Sequence, residues 1–480
     1  MVFHKLISGK ITKLKRSQAV NSSFWVATGM LGNQGIRLAS NIMLTRLLVP
    51  EYFGMMAVVN SVVGFFAMMS DVGLVPSVIN SRRDKEAEYM STIWTLQFLS
   101  SLLLAVLLLI SAYPISYIYH EPLLFPLLAA VALTSIIGGL NSTALVLEKK
   151  YLRQKKLILS QLCTQIFSSL VMIAGAYYTG SIWSLVVGNA AGAVVTLAYS
   201  YIVFSPHHSA FKLETRAVKD IVGFGKWILL SSILSYAGSR SRPVIMGLWV
   251  NFKQLGIYSV AAALATVVEA IVGNLANKIL HPKYRQYIED NNFEAIGRLR
   301  RKFIYLFLPI TMLVALFGEH LVELFYDDRY QEAGAILQIL AVGRIGTLFV
   351  LVTKPILMAM GDSKGLSGSQ GITAVMSVLL LVSAGTLSGF YGMVLAAASI
   401  PFIDYMAVFF VLKKHPFNYI LSDIIFMVTS IFIIIIVWKY SGSQSLTMIV
   451  ELFGSSHLVL MDTLRDYFPD ENLFMEKMYR

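Results

Sequence analysis

Long apolar stretches without charge dominate the hydrophobicity pattern of this chain. Residues 93–119, 122–147 and 157–211 contain no Asp, Glu, Lys or Arg. A helix needs about 20 apolar residues to cross the hydrocarbon core of a bilayer, so the first two stretches each predict one span and the third predicts two. The pattern predicts an all-α integral membrane protein, with candidate spans at 20–45, 53–79, 93–118, 123–147, 158–178, 182–204, 226–249, 255–280, 303–326, 333–360, 369–389, 391–412 and 420–439.

Composition agrees with a membrane protein and excludes several functional classes. The 480 residues are 56% hydrophobic and 14% charged, whereas soluble domains carry about 25% charged residues. The single cysteine, Cys163, excludes an internal disulfide and argues against a thiolate metal site. The loops are too short for a soluble catalytic domain, and the phosphate-loop, GxGxxG and HExxH motifs are absent. We therefore expect no enzyme, no cofactor and no metal.

Lysine and arginine are distributed unevenly between alternate loops. The loops that share a side with the N-terminus hold basic clusters, among them "EKKYLRQKK" (148–156) and "RLRRK" (298–302). The opposite loops as far as residue 412 hold only Arg46, Lys253 and Arg329. Because basic loops remain in the cytoplasm, we expect a multi-pass protein with a cytoplasmic N-terminus, its basic loops facing anionic lipid. The net charge of +12 then requires no nucleic-acid partner.

A weak internal repeat indicates two related halves. A shift of 202 residues aligns Trp25 with Trp227 and Gly54 with Gly256. Six spans return the chain to its starting side, so the repeat predicts two parallel six-helix lobes that form a 12-helix core. One or two C-terminal helices would follow, since 446–461 is either a poor span or an interfacial helix. The predicted domains are 1–205, 206–415 and 416–480.

Several cations fall inside predicted spans. They are Arg37, Arg240, Arg242, Arg344, Lys278 and Lys354. An arginine at the bilayer centre costs roughly 2.5–3.5 kcal/mol, which a water-filled cavity, a counter-charge or an anionic ligand must offset. Arg37 and Arg240 lie one position out of register in equivalent spans of the two halves. A helix break at Pro243 would let Arg240 and Arg242 reach one cavity.

The same spans contain acids that leave two alternatives open. Asp71, Glu269 and Asp404 could neutralise the cations for structural reasons, or they could bind H⁺ or Na⁺ to drive transport. For Lys278 and Lys354, which lie near span ends, the structural alternative is favoured because lysine readily extends towards the interface. A cation-lined cavity would indicate an anionic substrate, and the planar fork of arginine suits phosphate.

Short motifs in fixed order resemble those of bacterial Wzx-type polysaccharide flippases, in the superfamily of multidrug extruders and the lipid II flippase. The resemblance extends over about residues 20–412. The segments that carry it are "LTRLLVPEYFGMMAVV" (44–59), "SDVGLVPSVINSRRD" (70–84), "LEKKYLRQKKL" (147–157), "GFGKWILLSSILSYAGSRSRPVIMGLWVNFKQLGIYSVA" (223–261) and "MAMGDSKG" (358–365).

The resemblance implies a two-lobed flippase in the bacterial cytoplasmic (inner) membrane. Its substrate would be an undecaprenyl-pyrophosphate-linked oligosaccharide for exopolysaccharide, O-antigen or capsule synthesis, with a polysaccharide polymerase and glycosyltransferases as partners. Basic residues of a central cavity would hold the pyrophosphate, and Arg37, Arg240 and Arg242 fit that role. Asn33, Gln34, Asn41 and Gln161 are expected to contact sugar.

Other functions remain open at this stage. A cation-coupled multidrug extruder of the same fold would require a cavity dominated by acids. A membrane-embedded polysaccharide polymerase or ligase would generally require a large outer loop, which the predicted topology lacks before residue 440. A lipid-binding scaffold without transport activity is the third alternative.

Overall fold

A computed structural model describes the chain in several ranges. They are 28–70, 73–81, 86–151, 153–204, 210–219, 241–414, 420–441, 443–445 and 447–449, with the single residues 25, 83, 221 and 236. Throughout these ranges the regular structure is helical and no strand is present. The prediction of an all-α membrane protein is therefore confirmed. The chain divides into two compact units, Met1–Val244 and Ile245–Arg480.

The first unit is built from apolar helices joined by short turns. Helix α4 packs against α2 and α5, α7 packs against α8, and α5 also contacts α8. In chain order the helices are α1 (28–47), α2 (Pro50–Ser70), α3 (Leu74–Asn80), α4 (Ala87–Ile118), α5 (Leu124–Gly139), α6 (Ala144–Lys150), α7 (Gln154–Thr179), α8 (Trp183–Ile202) and α9 (215–219).

The predicted span 123–147 is bent rather than straight. Its two pieces, α5 and α6, meet at an angle of 67°. Helix α5 ends at Gly139, because Gly138, Gly139, Asn141 and Ser142 all have lower helix propensity than the apolar residues before them. The basic loop predicted from 148 onward begins as the last turn of α6, so its first lysines, Lys149 and Lys150, are helical.

In the second unit, α14 is the central helix. It packs against α11, α13 and α15, and 78% of its most apolar window is buried, compared with 28% for α4, α7 and α8. The helices are α10 (Arg242–Met246, at the boundary of the units), α11 (Phe252–Leu275, continued by the π-helical turn Ala276–Leu280), α12 (His281–Glu289), α13 (Phe293–Phe325), α14 (Glu332–Met360), α15 (Ser363–Leu412) and α16 (Ile420–Ser441).

The predicted division between spans 369–389 and 391–412 is confirmed by a kink in α15. Gly389 has φ 59° and ψ −144°, a conformation that is essentially restricted to glycine. Among the described residues, nine helices are long and apolar enough to cross a membrane, or ten if α5 and α6 form one broken span. Predicted span 226–249 lies largely outside the described residues.

Close contact between α14 and α15 gives a prediction about stability. A Cβ added at Gly343 would lie 2.4 Å from the carbonyl oxygen of Ala398, whereas one at Gly371 would meet no atom within 4 Å. We expect Gly343→Ala to destabilise the protein by about 1–3 kcal/mol, because the two backbones must separate. Gly371→Ala, the matched control, should be neutral or slightly stabilising. Unfolding in detergent measures both, and equal stability of the two variants would contradict the packing described here.

Candidate functional site

In the first unit, Asn33, Arg37 and Asn41 share one side of α1 because they are spaced four residues apart. The side chain of Arg37 is exposed, and among the described residues it makes no ion pair. Asn33 and Asn41 are half-buried, and the buried Asn33 Oδ1 atom has no hydrogen-bond donor in the described part of the chain. This stripe therefore combines an available guanidinium with neighbouring amides, a set that can bind an anion and hydroxyl groups.

Helix α7 holds α1 in place beside this stripe. Gly29 and Gly32 of α1 face Ile158 and Leu162, and a Cβ on Gly29 would lie 2.4 Å from the Ile158 side chain. The hydroxyls of Ser40 and Ser169 are hydrogen-bonded at 2.9 Å. Small residues thus allow the two helices to approach closely, as is typical of membrane interfaces.

The other predicted sugar-contacting residues, Gln34 and Gln161, are not hydrogen-bonded to this stripe among the described residues. Gln34 is half-buried on α1, and Gln161 is exposed on α7. Within the described part of the chain, no hydrogen bond connects Asn33, Gln34, Asn41 and Gln161 to one another. Their role as sugar contacts stays a prediction.

The remaining predicted residues of this half are only partly described. Arg240 and Asp71 lie outside the described residues. Arg242 is half-buried and begins α10, while Ser241 before it is not helical. Pro243 is the second residue of α10, in the first turn of a helix, where the missing N–H of proline would have had no helical acceptor.

In the second unit, Arg344 of α14 forms an ion pair with Glu269 of α11. The Arg344 Nη1 and Glu269 Oε2 atoms are 2.7 Å apart, with 12% and 33% of the respective side chains exposed. A cavity of about 10 Å³ beside the pair is lined by Thr311 and Thr347, which is room for about one water molecule. The buried Arg344 Nε atom has no hydrogen-bond acceptor among the described residues.

Ten residues further along α14, Lys354 pairs with Asp404 of α15. The Lys354 Nζ and Asp404 Oδ2 atoms are 2.9 Å apart, and Thr373 donates a hydrogen bond of 2.9 Å to the other carboxylate oxygen. The exposed Lys278 lies in the π-helical turn after α11. Two acids predicted to be counter-charges or ion ligands are thus each engaged by a basic side chain.

Sequence reasoning missed a buried charge network around Arg300. Arg300, 1% exposed, donates two hydrogen bonds to the Asp423 carboxylate, one of them 2.9 Å long, and its Nε atom donates to Thr353 at 3.1 Å. The Tyr405 hydroxyl donates to the same carboxylate. The network joins α13, α14, α15 and α16, and so fixes the helix that follows the predicted core.

The expectation that the segment 298–302 is a basic loop facing lipid was therefore wrong for Arg300. Helix α13 begins at Phe293, ten residues before the predicted span. Ile296, Arg300 and Ile304 are all buried and spaced four residues apart, so they share the core-facing side of the helix. That spacing is the sequence signal that could have identified Arg300 as internal.

The motif at 70–84 contributes a cluster of charged side chains to the first unit. Arg83 donates hydrogen bonds of 2.8 and 2.9 Å to Glu214 and one of 2.8 Å to Glu86. The hydrogen bond from Arg83 lowers the pKa of the exposed Glu86 carboxyl. Arg83 thus connects the start of α4 with the segment that precedes α9.

Comparison with known proteins supplies the family. Residues 43–335, more than half of the chain, match the family model described as polysaccharide biosynthesis protein. The chain belongs to this family. The matched range runs from the end of α1 to the first turn of α14, and so it contains Glu269, the ion-pair partner of Arg344.

Two curated relatives of this polysaccharide biosynthesis protein are named for transport or lipopolysaccharide synthesis. The succinoglycan biosynthesis transport protein ExoT of Rhizobium meliloti is 21% identical over 399 residues, 79% of this chain and 80% of ExoT. The lipopolysaccharide biosynthesis protein WzxC of Escherichia coli is 19% identical over 335 residues, 68% of this chain and 67% of WzxC.

Solved structures with the same fold are transporters. The lipid II flippase MurJ, in an inward closed conformation, superposes with a TM-score of 0.67 at 12% identity, over 94% of this chain and 99% of MurJ. An inward-facing multidrug resistance MATE transporter gives a TM-score of 0.61 at 14% identity, over 81% of this chain and 98% of the transporter. The polysaccharide biosynthesis protein thus shares the fold of these multi-pass membrane proteins.

Proposed function

We propose that the protein moves undecaprenyl-pyrophosphate-linked oligosaccharide repeat units from the cytoplasmic to the periplasmic leaflet of the bacterial inner membrane. The observation that carries this proposal is the family match over 43–335, together with relatives named for succinoglycan transport and lipopolysaccharide synthesis. The chain shares its fold with MurJ, a lipid II flippase, and this likeness supports a lipid-linked substrate. The N-terminus would lie in the cytoplasm, as the basic loops predict.

Arg37, Arg240 and Arg242 would bind the pyrophosphate in this proposal. Arg37 supports it because this exposed guanidinium makes no ion pair among the described residues. Arg344 and Lys354 fit less well, since Glu269 and Asp404 already neutralise them. Arginine can offer two parallel N–H donors to one phosphate, so it grips a pyrophosphate more specifically than lysine does.

The multidrug extruder is the main competing function. It would use free carboxylates to bind cationic drugs or the coupling ion. Glu269 and Asp404, the described acids predicted for that role, are each paired with a cation at 2.7 and 2.9 Å. Their engagement favours an anionic substrate, because a paired carboxylate attracts a second cation less strongly.

Depletion of the protein in its host tests the proposed function. We expect completed undecaprenyl-linked repeat units to accumulate in the cytoplasmic leaflet while surface polysaccharide falls, and re-expression of the wild-type chain should reverse both. Accumulation in the periplasmic leaflet would instead identify a defect in polymerisation. Unchanged lipid-linked sugar with retention of cationic dyes would support the extruder and contradict the proposal.

A further inference from the structure

A pocket in the first unit lies where α6 turns into α7. Its volume is about 170 Å³, and its polar lining comes from Glu148, Tyr151, Arg153 and Lys156, with Phe204 closing one wall. We call it the α6–α7 pocket. It lies outside the sites considered for the glycan, and a space of this size holds a small polar group rather than a single water molecule.

The charges in the α6–α7 pocket are only partly matched with one another. The Arg153 Nη1 atom is 3.5 Å from the Glu148 Oε1 atom, and the Glu148 side chain is 13% exposed while Arg153 is 69% exposed. Arg153 is mostly exposed and lies beyond normal hydrogen-bond length, so it matches the negative charge of Glu148 only in part. The pocket is therefore suited to a ligand group that carries positive charge.

Basic side chains line the pocket beside Glu148. Arg153 is the residue immediately before α7, and Lys156 lies in the first turn of this 26-residue helix. The N-terminus of a long helix adds partial positive charge that favours an anion. The pocket therefore offers an anion site and a carboxylate acceptor side by side.

Aromatic and basic side chains place the pocket at the membrane–water boundary. The Lys155 Nζ atom lies 5.2 Å from the centre of the Trp25 ring, and Arg153 lies 5.7 Å from that of Tyr151. The first turn of α7 and the end of α8 lie at the same end of a pair of candidate membrane spans. Such aromatic and basic residues mark the level of lipid headgroups.

We propose that the α6–α7 pocket binds the headgroup of a zwitterionic phospholipid, phosphatidylethanolamine. Lys156 and Arg153 would bind its phosphodiester, and its ammonium group would pair with the Glu148 carboxylate. A phosphate alone would lie close to the negative charge of Glu148. The ethanolamine ammonium supplies three donors and the opposite charge. This inference does not depend on the glycan that the protein transports.

Soluble headgroups test the proposal on the purified full-length chain in detergent. The probes are glycerophosphoethanolamine and glycerophosphoglycerol, which share the phosphodiester and differ in the ammonium group. We expect the wild-type chain to bind the first about tenfold more tightly, which corresponds to about 1.4 kcal/mol. Equal affinity for the two probes, or no binding of either, would overturn the proposal.

Variants of the pocket separate its two halves. Glu148→Gln should abolish the preference for the ethanolamine probe, whereas Lys156→Gln should weaken both probes together. Lys149→Gln is the matched control, because Lys149 is exposed on α6, the helix that carries Glu148, and does not line the pocket. The ratio of the two affinities within one variant does not depend on how much of it is folded. A preference that survives Glu148→Gln, or is lost equally in Lys149→Gln, would overturn the assignment.

Discussion

Asp423→Asn should lower the free energy of unfolding by about 3–5 kcal/mol, the largest single-residue effect on stability that we expect in the second unit. The substitution leaves Arg300, 1% exposed, as a buried cation whose partner carboxylate has gone. Tyr405 and Thr353 cannot compensate, because a hydroxyl carries no charge. Equilibrium unfolding in detergent measures the loss.

Two further variants isolate the charge from the packing. The double variant Arg300→Met with Asp423→Leu should recover most of the stability, since replacing both partners of a buried pair with apolar groups is often neutral or better. Arg301→Gln is the matched control, because Arg301 is the exposed neighbour on the same helix. A double variant as unstable as Asp423→Asn, or an equal effect of Arg301→Gln, would contradict the proposed electrostatic cause.

Arg37→Ala should have the largest effect on transport among the described residues. Loss of hydrogen bonds from a guanidinium to phosphate corresponds to about 1.5–3 kcal/mol, or roughly 10- to 150-fold weaker substrate binding. In cells depleted of the wild-type protein, the variant should leave lipid-linked repeat units in the cytoplasmic leaflet and reduce surface polysaccharide. Arg37→Lys should restore only part of the activity, because lysine lacks the planar fork.

Arg46→Ala provides the comparison within α1. Arg46 is exposed on the same helix but lies near its C-terminal end, nine residues beyond Arg37 along the chain. It should support normal export at equal protein levels. If Arg37→Ala exports polysaccharide at the wild-type level, Arg37 does not belong to the proposed substrate site. An equal defect in both variants would indicate a general effect of charge on α1.

Residue types and spacing identified much of the candidate site, but they did not show which charged residues pair with one another. The presence of cations and acids inside apolar spans identified Arg344, Lys354, Glu269 and Asp404 as residues that need partners. Which cation meets which acid depends on the packing of α11 and α15 against α14. Glu269 and Arg344 are 75 residues apart in the chain, a separation at which sequence gives no distance.

The α6–α7 pocket illustrates the same limit. Its basic residues were visible as the cluster 148–156, and charge bias alone assigned that cluster to a loop facing the cytoplasm. Helix α6 is bent by 67° from α5, and its residue Glu148 lines the pocket. The glycines favour a helix end near Gly139, but the angle between the two helices depends on packing against their neighbours, so periodicity within the segment did not reveal it.

The membrane class, most of the spans and the break at Gly389 follow from local properties of the chain: apolar length, charge exclusion and the conformational freedom of glycine. Which charges neutralise one another depends on how the helices pack. The tertiary structure showed Arg300 as a buried partner of Asp423 and left Arg37 without an ion pair among the described residues. The physical reason is that electrostatic energy in a low-dielectric interior depends on distances of a few ångströms, which are set by helix packing and not by order along the chain.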